Sequence, residues 1–305
     1  MHYRVFDVVI SSDIELALPK AAVTDAHIFF SLLSDQPTGK ATLLHEWRTD
    51  AGELTLSLHG FRHATYAWRL FIPEGGSFFI SEDLRLVHCR PDPDADHSTL
   101  EHLLLDQVIP RIMAQQGNAV VHGSCVQLVD GRVIAIVGDT GTGKSTLASG
   151  FFLDGATLLT DDSFLVRVRN KGVNLVPGYR TLRLWPEVAE EFYSNANMRS
   201  MAHYSDKQRI GLEPRIVETD RLDGVLLLES DASIMEICRI ESAAERTMML
   251  LSSGFALDPA ASHCHSAWLT TYQYLVDAGL PVYRLSFPWD LAQLPAVVAR
   301  LKEEL

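Results

Sequence analysis

The chain has 305 residues, 47% of them hydrophobic and 21% charged, with a formal net charge of -13. That balance excludes large-scale disorder, and the acid excess excludes a broad basic face for nucleic acid. The length allows one large domain or two ordinary ones. No basic segment followed by a long apolar run opens the chain. No stretch reaches the ~20 apolar residues of a membrane helix. A cytoplasmic protein with no membrane partner is therefore expected. The cysteines Cys89, Cys125, Cys238 and Cys264 form no CxxC pair and read as reduced thiols.

The first 90 residues read as a small β-rich domain, 1–90, expected to be antiparallel. Runs rich in β-branched and aromatic residues cover Tyr3 to Ile10, Glu53 to Leu58, Thr65 to Ile72 and Phe78 to Cys89. Residues 91–117 read as a linker and a connecting helix. Pro91 and Pro93 cannot continue a strand. Ser98 or Thr99 suits a helix cap, and Leu100, Leu103, Leu104, Val108, Ile112 and Met113 form an apolar stripe. Pro110 predicts a kink and Gly117 an end.

Residues 118–305 read as an α/β domain. Ala119 to Val129 is a predicted strand, Asp130-Gly131 a tight turn, and Val133 to Val137 a strand buried on both faces. A helix is expected from Lys144 to about Leu153, and a short strand from Thr157 to Thr160. Phe164 to Arg169 and Val173 to Val176 read as a hairpin across Asn170-Lys171-Gly172. Thr181 to Trp185 reads as a strand, and Pro186 then opens a helix. The polar stretch 194–214 has no period and reads as an irregular, mobile loop. Strands at Gly224–Glu229, Ile234–Ile240 and Pro281–Phe287 are expected, with helices at 243–252, 259–278 and 291–305.

Between the buried strand and the helix lies Gly138-Asp139-Thr140-Gly141-Thr142-Gly143-Lys144-Ser145. This is the GxxxxGK[ST] pattern of a P-loop. Its glycines let consecutive N–H groups point at one anion, and the helix start adds positive charge. Lys144 suits the β- and γ-phosphates, and Ser145 suits Mg²⁺. Thr146 follows directly and completes the nucleotide-binding set. ATP and Mg²⁺ are the expected cofactors.

A P-loop alone does not separate switches, motors and kinases. A switch GTPase carries Asn-Lys-x-Asp, and Asn170-Lys171 is followed by Gly172-Val173 instead. Two strands end in an acid, at Glu229 and at Asp161-Asp162. The second lies 16 residues after Ser145, close enough to return beside the loop. Two adjacent carboxylates can divide the work, one on Mg²⁺ and one on a hydroxyl proton.

His122-Gly123, the loop and Asp161-Asp162 together resemble the catalytic domain of HPr kinase/phosphorylase, a serine kinase structurally akin to phosphoenolpyruvate carboxykinase. The resemblance is strong over about 115 to 170, weaker beyond, and absent before 90. It implies a P-loop kinase domain of that type behind the β-rich domain. It assigns Asp161 as the base for the seryl proton, His122 as its support, and Lys144 as the phosphate clamp. Ser145 and Asp162 fall on the Mg²⁺ side. The family's hexameric state implies a homo-oligomer.

The chain also departs from that family. Thr146 stands where HPr kinases usually carry Glu. A Glu-Ile-Arg-Gly signature has no counterpart, the matching stretch running from Pro177-Gly178 to Leu182-Arg183-Leu184-Trp185-Pro186. That stretch is similar to HPr-kinase-related proteins of bacterial biosynthetic clusters. Among them are the lasso-peptide kinases, which phosphorylate a serine at or near the end of a precursor peptide. The expected activity is ATP-dependent phosphorylation of a hydroxyl on a peptide or small protein. A small-molecule kinase and a nucleotide-sensing ATPase module are the rivals. Arg180, Arg183, Lys207 and Arg209 are candidate substrate contacts, because arginine suits bidentate anion binding. His263 and His265 do not share a helix face, which argues against a zinc site.

Overall fold

The computed structural model describes residues 1–22, 25–169, 172–212, 221–229, 234–288 and 290–305. The chain divides into two compact units. The first comprises 1–116 with 200–206 and 256–262, and the second 117–199, 207–255 and 263–305. The helical stretch read from the sequence as a connector thus belongs to the first unit.

The first unit is built on eight strands: β1 (His2–Val5), β2 (Val8–Ser12), β3 (Ile28–Leu32), β4 (Lys40–Arg48), β5 (Leu54–Arg62), β6 (Trp68–Ile72), β7 (Gly76–Ile80) and β8 (Leu86–Pro91). They form one sheet in the order β1-β2-β3-β8-β7-β6-β5-β4. The sheet is mixed, not antiparallel as the sequence suggests, because β3 runs parallel to both β2 and β8. Two of the runs read from the sequence are hairpins. Phe6, at φ 51°, breaks the first between β1 and β2, and Leu84, at φ 62°, breaks the last between β7 and β8. Strands β3 and β4 escape the sequence reading. In β4 most residues are exposed, so no alternation marks it.

Helix α1 (His97–Leu103) is capped by Asp96, whose carboxylate accepts from the Thr99 amide at 2.8 Å. It runs into a π-helical turn (Leu104–Val108) and then α2 (Ile109–Gln115). Pro110 has no N–H to give the carbonyl four residues back, and its ring crowds that carbonyl. The widened π turn just before it absorbs the mismatch. Gly117, at φ 86°, ends the helical stretch.

The second unit opens with β9 (Ala119–Gln127) and β10 (Val133–Val137), joined by the Asp130-Gly131 turn. Helix α3 (Lys144–Leu153), β11 (Thr157–Thr160), β12 (Ser163–Arg169), β13 (Gly172–Pro177), β14 (Leu182–Leu184) and α4 (Pro186–Tyr193) follow. Where the sequence predicts an irregular loop, β15 (Met198–Ala202) and β16 (Ser205–Ile210) stand, and 213–214 lie outside the described residues. The turn residues Asn170 and Lys171 also lie outside them. The chain ends with β17 (Gly224–Leu228), β18 (Glu236–Arg239), α5 (Ala243–Ser252), α6 (Ser262–Asp277), β19 (Val282–Ser286) and α7 (Leu294–Glu304).

The main sheet runs β13-β12-β9-β10-β17-β19-β18, with β11 also on β9. Strand β10 is parallel to β17 and β17 to β19, whereas β9 is antiparallel to β10. All five residues of β10 are buried, as its apolar run requires. One core cluster joins Ile134, Ile136, Leu226 and Leu285 of the sheet to Leu147 and Phe151 of α3 and Val298 and Leu301 of α7. Burying each such side chain stabilises the fold by about 1.5–3 kcal/mol. The loop at the end of β10 is therefore held from behind by both the sheet and α3. Among the described residues, no helix is long and apolar enough to cross a membrane.

Candidate functional site

The glycine loop leaves the C-terminal end of β10, where sites in open α/β sheets characteristically form. Gly138, Gly141 and Gly143 all adopt positive φ, at 145°, 89° and 88°. At Gly138 the space is closed as well, since a Cβ would lie 2.4 Å from the carbonyl oxygen of Leu228 on β17. Thr142 Oγ1 donates to the Asp139 carbonyl at 2.8 Å and pins the turn. Lys144 Nζ donates to the carbonyls of Gly138 and Asp139 at 2.9 and 2.8 Å, so its ammonium lies within the loop. Burial pulls the Lys144 pKa below the ordinary lysine value, while Asp162 and Asp161 push it up. Thr140 is exposed at the loop tip and Thr146 is buried on α3.

The second wall comes from a break in strand pairing. Strand β9 holds β11 along Cys125–Gln127 and β12 along Ala119–His122. The chain leaves β9 at Thr160 and rejoins it at Ser163, so Asp161 and Asp162 form a kink opposite Gly123 and Ser124. Asp162 takes φ 101°, a conformation rare for a residue with a Cβ. That turn aims its carbonyl at β9, where it accepts from the Gly123 amide at 2.9 Å and from His122 Nδ1 at 2.9 Å.

The two carboxylates have different surroundings. Asp161 is 1% exposed. Its Oδ1 accepts from Ser145 Oγ at 2.9 Å and from Ser124 Oγ, and its Oδ2 accepts from the Arg183 amide at 3.2 Å. Burial raises its pKa, against the pull of Arg183 and the Ser124 bond. Asp162 keeps 18% of its side-chain surface and pairs with Arg183 Nη1 at 3.0 Å. The resemblance puts Asp162 on the metal beside Ser145 and gives Asp161 the acceptor hydroxyl. The structure brings Ser145 to Asp161 instead, and an incoming hydroxyl cannot touch so enclosed a carboxylate without displacing its donors.

His122 keeps 30% of its side-chain surface, and its Nδ1 lies 3.7 Å from Asp162 Oδ1. Its ring stands edge-on to Phe255, with centroids 5.8 Å apart. The surrounding protein desolvates it enough to lower its pKa, opposed by Asp162.

The substrate candidates separate. Arg183 is buried, pairs with Asp162, donates to the Tyr179 hydroxyl and lies over the Tyr179 ring. Lys207 sits over the exposed Trp185 ring at 5.2 Å. Burial lowers the Lys207 pKa, and the charges of Asp161, Arg183 and Asp162 all reach it. Arg209 is buried opposite Arg183 across the β14–β16 pair. Arg180 donates to the Leu158 carbonyl at 3.0 Å and lies over Phe152. Glu229, the other strand-end acid, is paired with Arg284 at 2.6 Å. Ser124, which donates to Asp161, is given no role by the sequence reading. Period two along β9 puts it on the same face as His122, which is the signal that finds it.

For Mg²⁺ the test is the donor set. Among the described residues, no three His, Cys, Asp or Glu gather to hold a metal alone. Magnesium bound to nucleotide needs only one or two protein ligands beside phosphates and water. Ser145 Oγ and Asp161 Oδ1, 2.9 Å apart, fit two neighbouring ligand positions of such an ion.

No protein-family model matches the chain, and no curated protein sequence matches it. Solved structures do match. One is the Hpr(Ser) kinase/phosphatase from Coxiella burnetii, at 14% identity over 61% of this chain and 99% of that one, with a TM-score of 0.29. A score of that size does not establish a shared fold.

Proposed function

We propose that this chain transfers the γ-phosphoryl group of ATP to a hydroxyl group, with a serine of a peptide or small protein as the acceptor. One observation carries the reading. The glycine loop, Lys144 and Ser145 meet Asp161 on the enclosed side, while Asp162 and His122 line the exposed side.

In this reading the loop amides and Lys144 bind the β- and γ-phosphates. Ser145 and Asp161 would hold Mg²⁺, which when bound would offset the charge that builds on the phosphate oxygens. The acceptor oxygen attacks the γ-phosphorus, its O–H bond breaks, and the bond to ADP breaks in turn. Arg183 and Lys207 add cationic charge around the transferring group, so the protein's contribution is positioning and charge neutralisation. The finer reading, a serine at the end of a lasso-peptide precursor, is supported by the sequence resemblance around Trp185. A cytoplasmic location and a homo-oligomeric assembly belong to the same reading.

The test is incubation of the full chain with Mg²⁺ and ATP, read by mass spectrometry. One arm uses peptides encoded beside the gene, and the other a small-molecule extract. Phosphate on a peptide serine supports the proposal. Phosphate on a metabolite alone supports a small-molecule kinase. ADP formation without any phosphorylated acceptor supports a nucleotide-sensing ATPase.

A further inference from the structure

Three groups able to take a proton stand together beside the phosphate lysine: Asp161, Asp162 and His122. Asp161 is enclosed and already accepts from Ser124, Ser145 and the Arg183 amide. Asp162 faces the buried guanidinium of Arg183. His122 differs in kind. Its Nδ1 meets a backbone carbonyl, that of Asp162, at 2.9 Å. A carbonyl oxygen only accepts, so Nδ1 must carry the hydrogen. In the neutral ring the lone pair then belongs to Nε2.

The backbone is bent to achieve this. Asp162 sits at φ 101°, in a region that residues with a side chain rarely occupy. The bend is what delivers its carbonyl to both the Gly123 amide and the imidazole. Phe255 packs edge-on against the ring, with centroids 5.8 Å apart. The charges of Lys144, Asp161 and Asp162 all act on His122, so the ring belongs to the same charged group as the phosphate lysine.

We infer that His122 Nε2, and neither aspartate, takes the proton of the acceptor hydroxyl. The inference rests on the phosphotransfer reading above. As the acceptor oxygen bonds to the γ-phosphorus, its proton passes to Nε2 and ADP departs with the electron pair of the broken P–O bond. The imidazolium then returns the proton to solvent. Asp162 acts through its carbonyl as the residue that orients the ring. Its carboxylate holds Arg183.

The test uses the full chain with Mg²⁺, ATP and a serine-containing peptide encoded beside the gene. In His122→Asn the amide nitrogen takes the place of Nδ1 and keeps the bond to the Asp162 carbonyl, but no atom replaces Nε2. Its transfer rate should fall by about 10²–10⁴-fold, the usual contribution of a general base, with nucleotide affinity unchanged. In His122→Gly, added imidazole should restore transfer, whereas His122→Asn should not respond to it. Transfer by His122→Asn at the wild-type rate overturns the inference. So does a loss in both variants that imidazole does not relieve, because that outcome makes the histidine structural. Wild-type protein that transfers to no hydroxyl sinks the phosphotransfer reading itself, a result distinct from a working wild type beside an unimpaired His122→Asn.

Discussion

Ser145 Oγ, at the start of α3, stands 2.9 Å from Asp161 Oδ1, at the end of β11. The phosphate loop and the acidic strand end are thereby joined at one pair of oxygens. This pairing divides the two aspartates. Asp161→Asn should raise the Mg²⁺ concentration needed for nucleotide binding by at least about 10–100-fold, the loss that follows when even the groups orienting a metal's ligands are removed. Asp162→Asn should leave that requirement near wild type. Titration of Mg²⁺ against nucleotide affinity checks both, and the reverse ranking contradicts the placement.

Lys144 carries a charge in a desolvated place, and its folded pKa lies below the ordinary lysine value for that reason. A group with a lowered folded value contributes stability at pH above its unfolded value and loses it as pH falls through the folded one. At neutral pH the charged amine is therefore a cost to the nucleotide-free fold. Lys144→Met should weaken nucleotide binding by about 1.5–3 kcal/mol, the strength of a charged hydrogen bond. It should also raise the Tm of the nucleotide-free protein. That gain should shrink as pH is raised, because the wild-type amine then sheds its proton. Calorimetric binding and thermal scans across pH read both effects.

Gly123 lies where β9 crosses the aspartate kink. A Cβ there would meet the Ile136 carbonyl oxygen at 2.5 Å, and that oxygen belongs to a strand paired on both sides. Gly123→Ala should cost about 1–3 kcal/mol, the usual penalty for forcing atoms into a packed region. Chemical denaturation measures it. An unchanged midpoint and slope would show that β9 can move away from β10.

Three of the four cysteines, Cys89, Cys125 and Cys264, are buried, and Cys238 is exposed. Burial pushes the Cys89 thiol up to about 12 and raises Cys125 as well, with Asp161 adding to the latter. Thiolate is the reacting form. A thiol reagent at mildly alkaline pH should thus label Cys238 in the native chain and the other three only after denaturation. Mass spectrometry of the labelled protein reads the count, and rapid native labelling of Cys125 would mean that β9 opens.

The sequence makes the phosphate loop, β10 and α3 legible because each glycine and each apolar residue there answers a local demand. Helix α4 opens at Pro186 for the same reason. The mixed pairing of β3 is not legible, since parallel partners lie far apart in sequence and leave no turn signal between them. Strand β4 is exposed along most of its length and carries no alternation. The hairpin at 198–210 is polar and short, so it reads as loop. In the candidate site, the residue types were evident but their partners were not. Which aspartate faces Ser145 depends on a single reversed φ at Asp162, and adjacent Asp-Asp in a sequence does not reveal which residue turns.

The most direct test of phosphotransfer at this site is a single-turnover reaction with ATP labelled in its γ-phosphate, enzyme in excess, and a serine peptide as acceptor. The account predicts that the label appears on the serine oxygen as ADP forms, that Lys144→Ala abolishes its appearance, and that Asp161→Asn does so at Mg²⁺ concentrations that suffice for the wild type. Label released only as inorganic phosphate, or transfer that survives both substitutions, would contradict it.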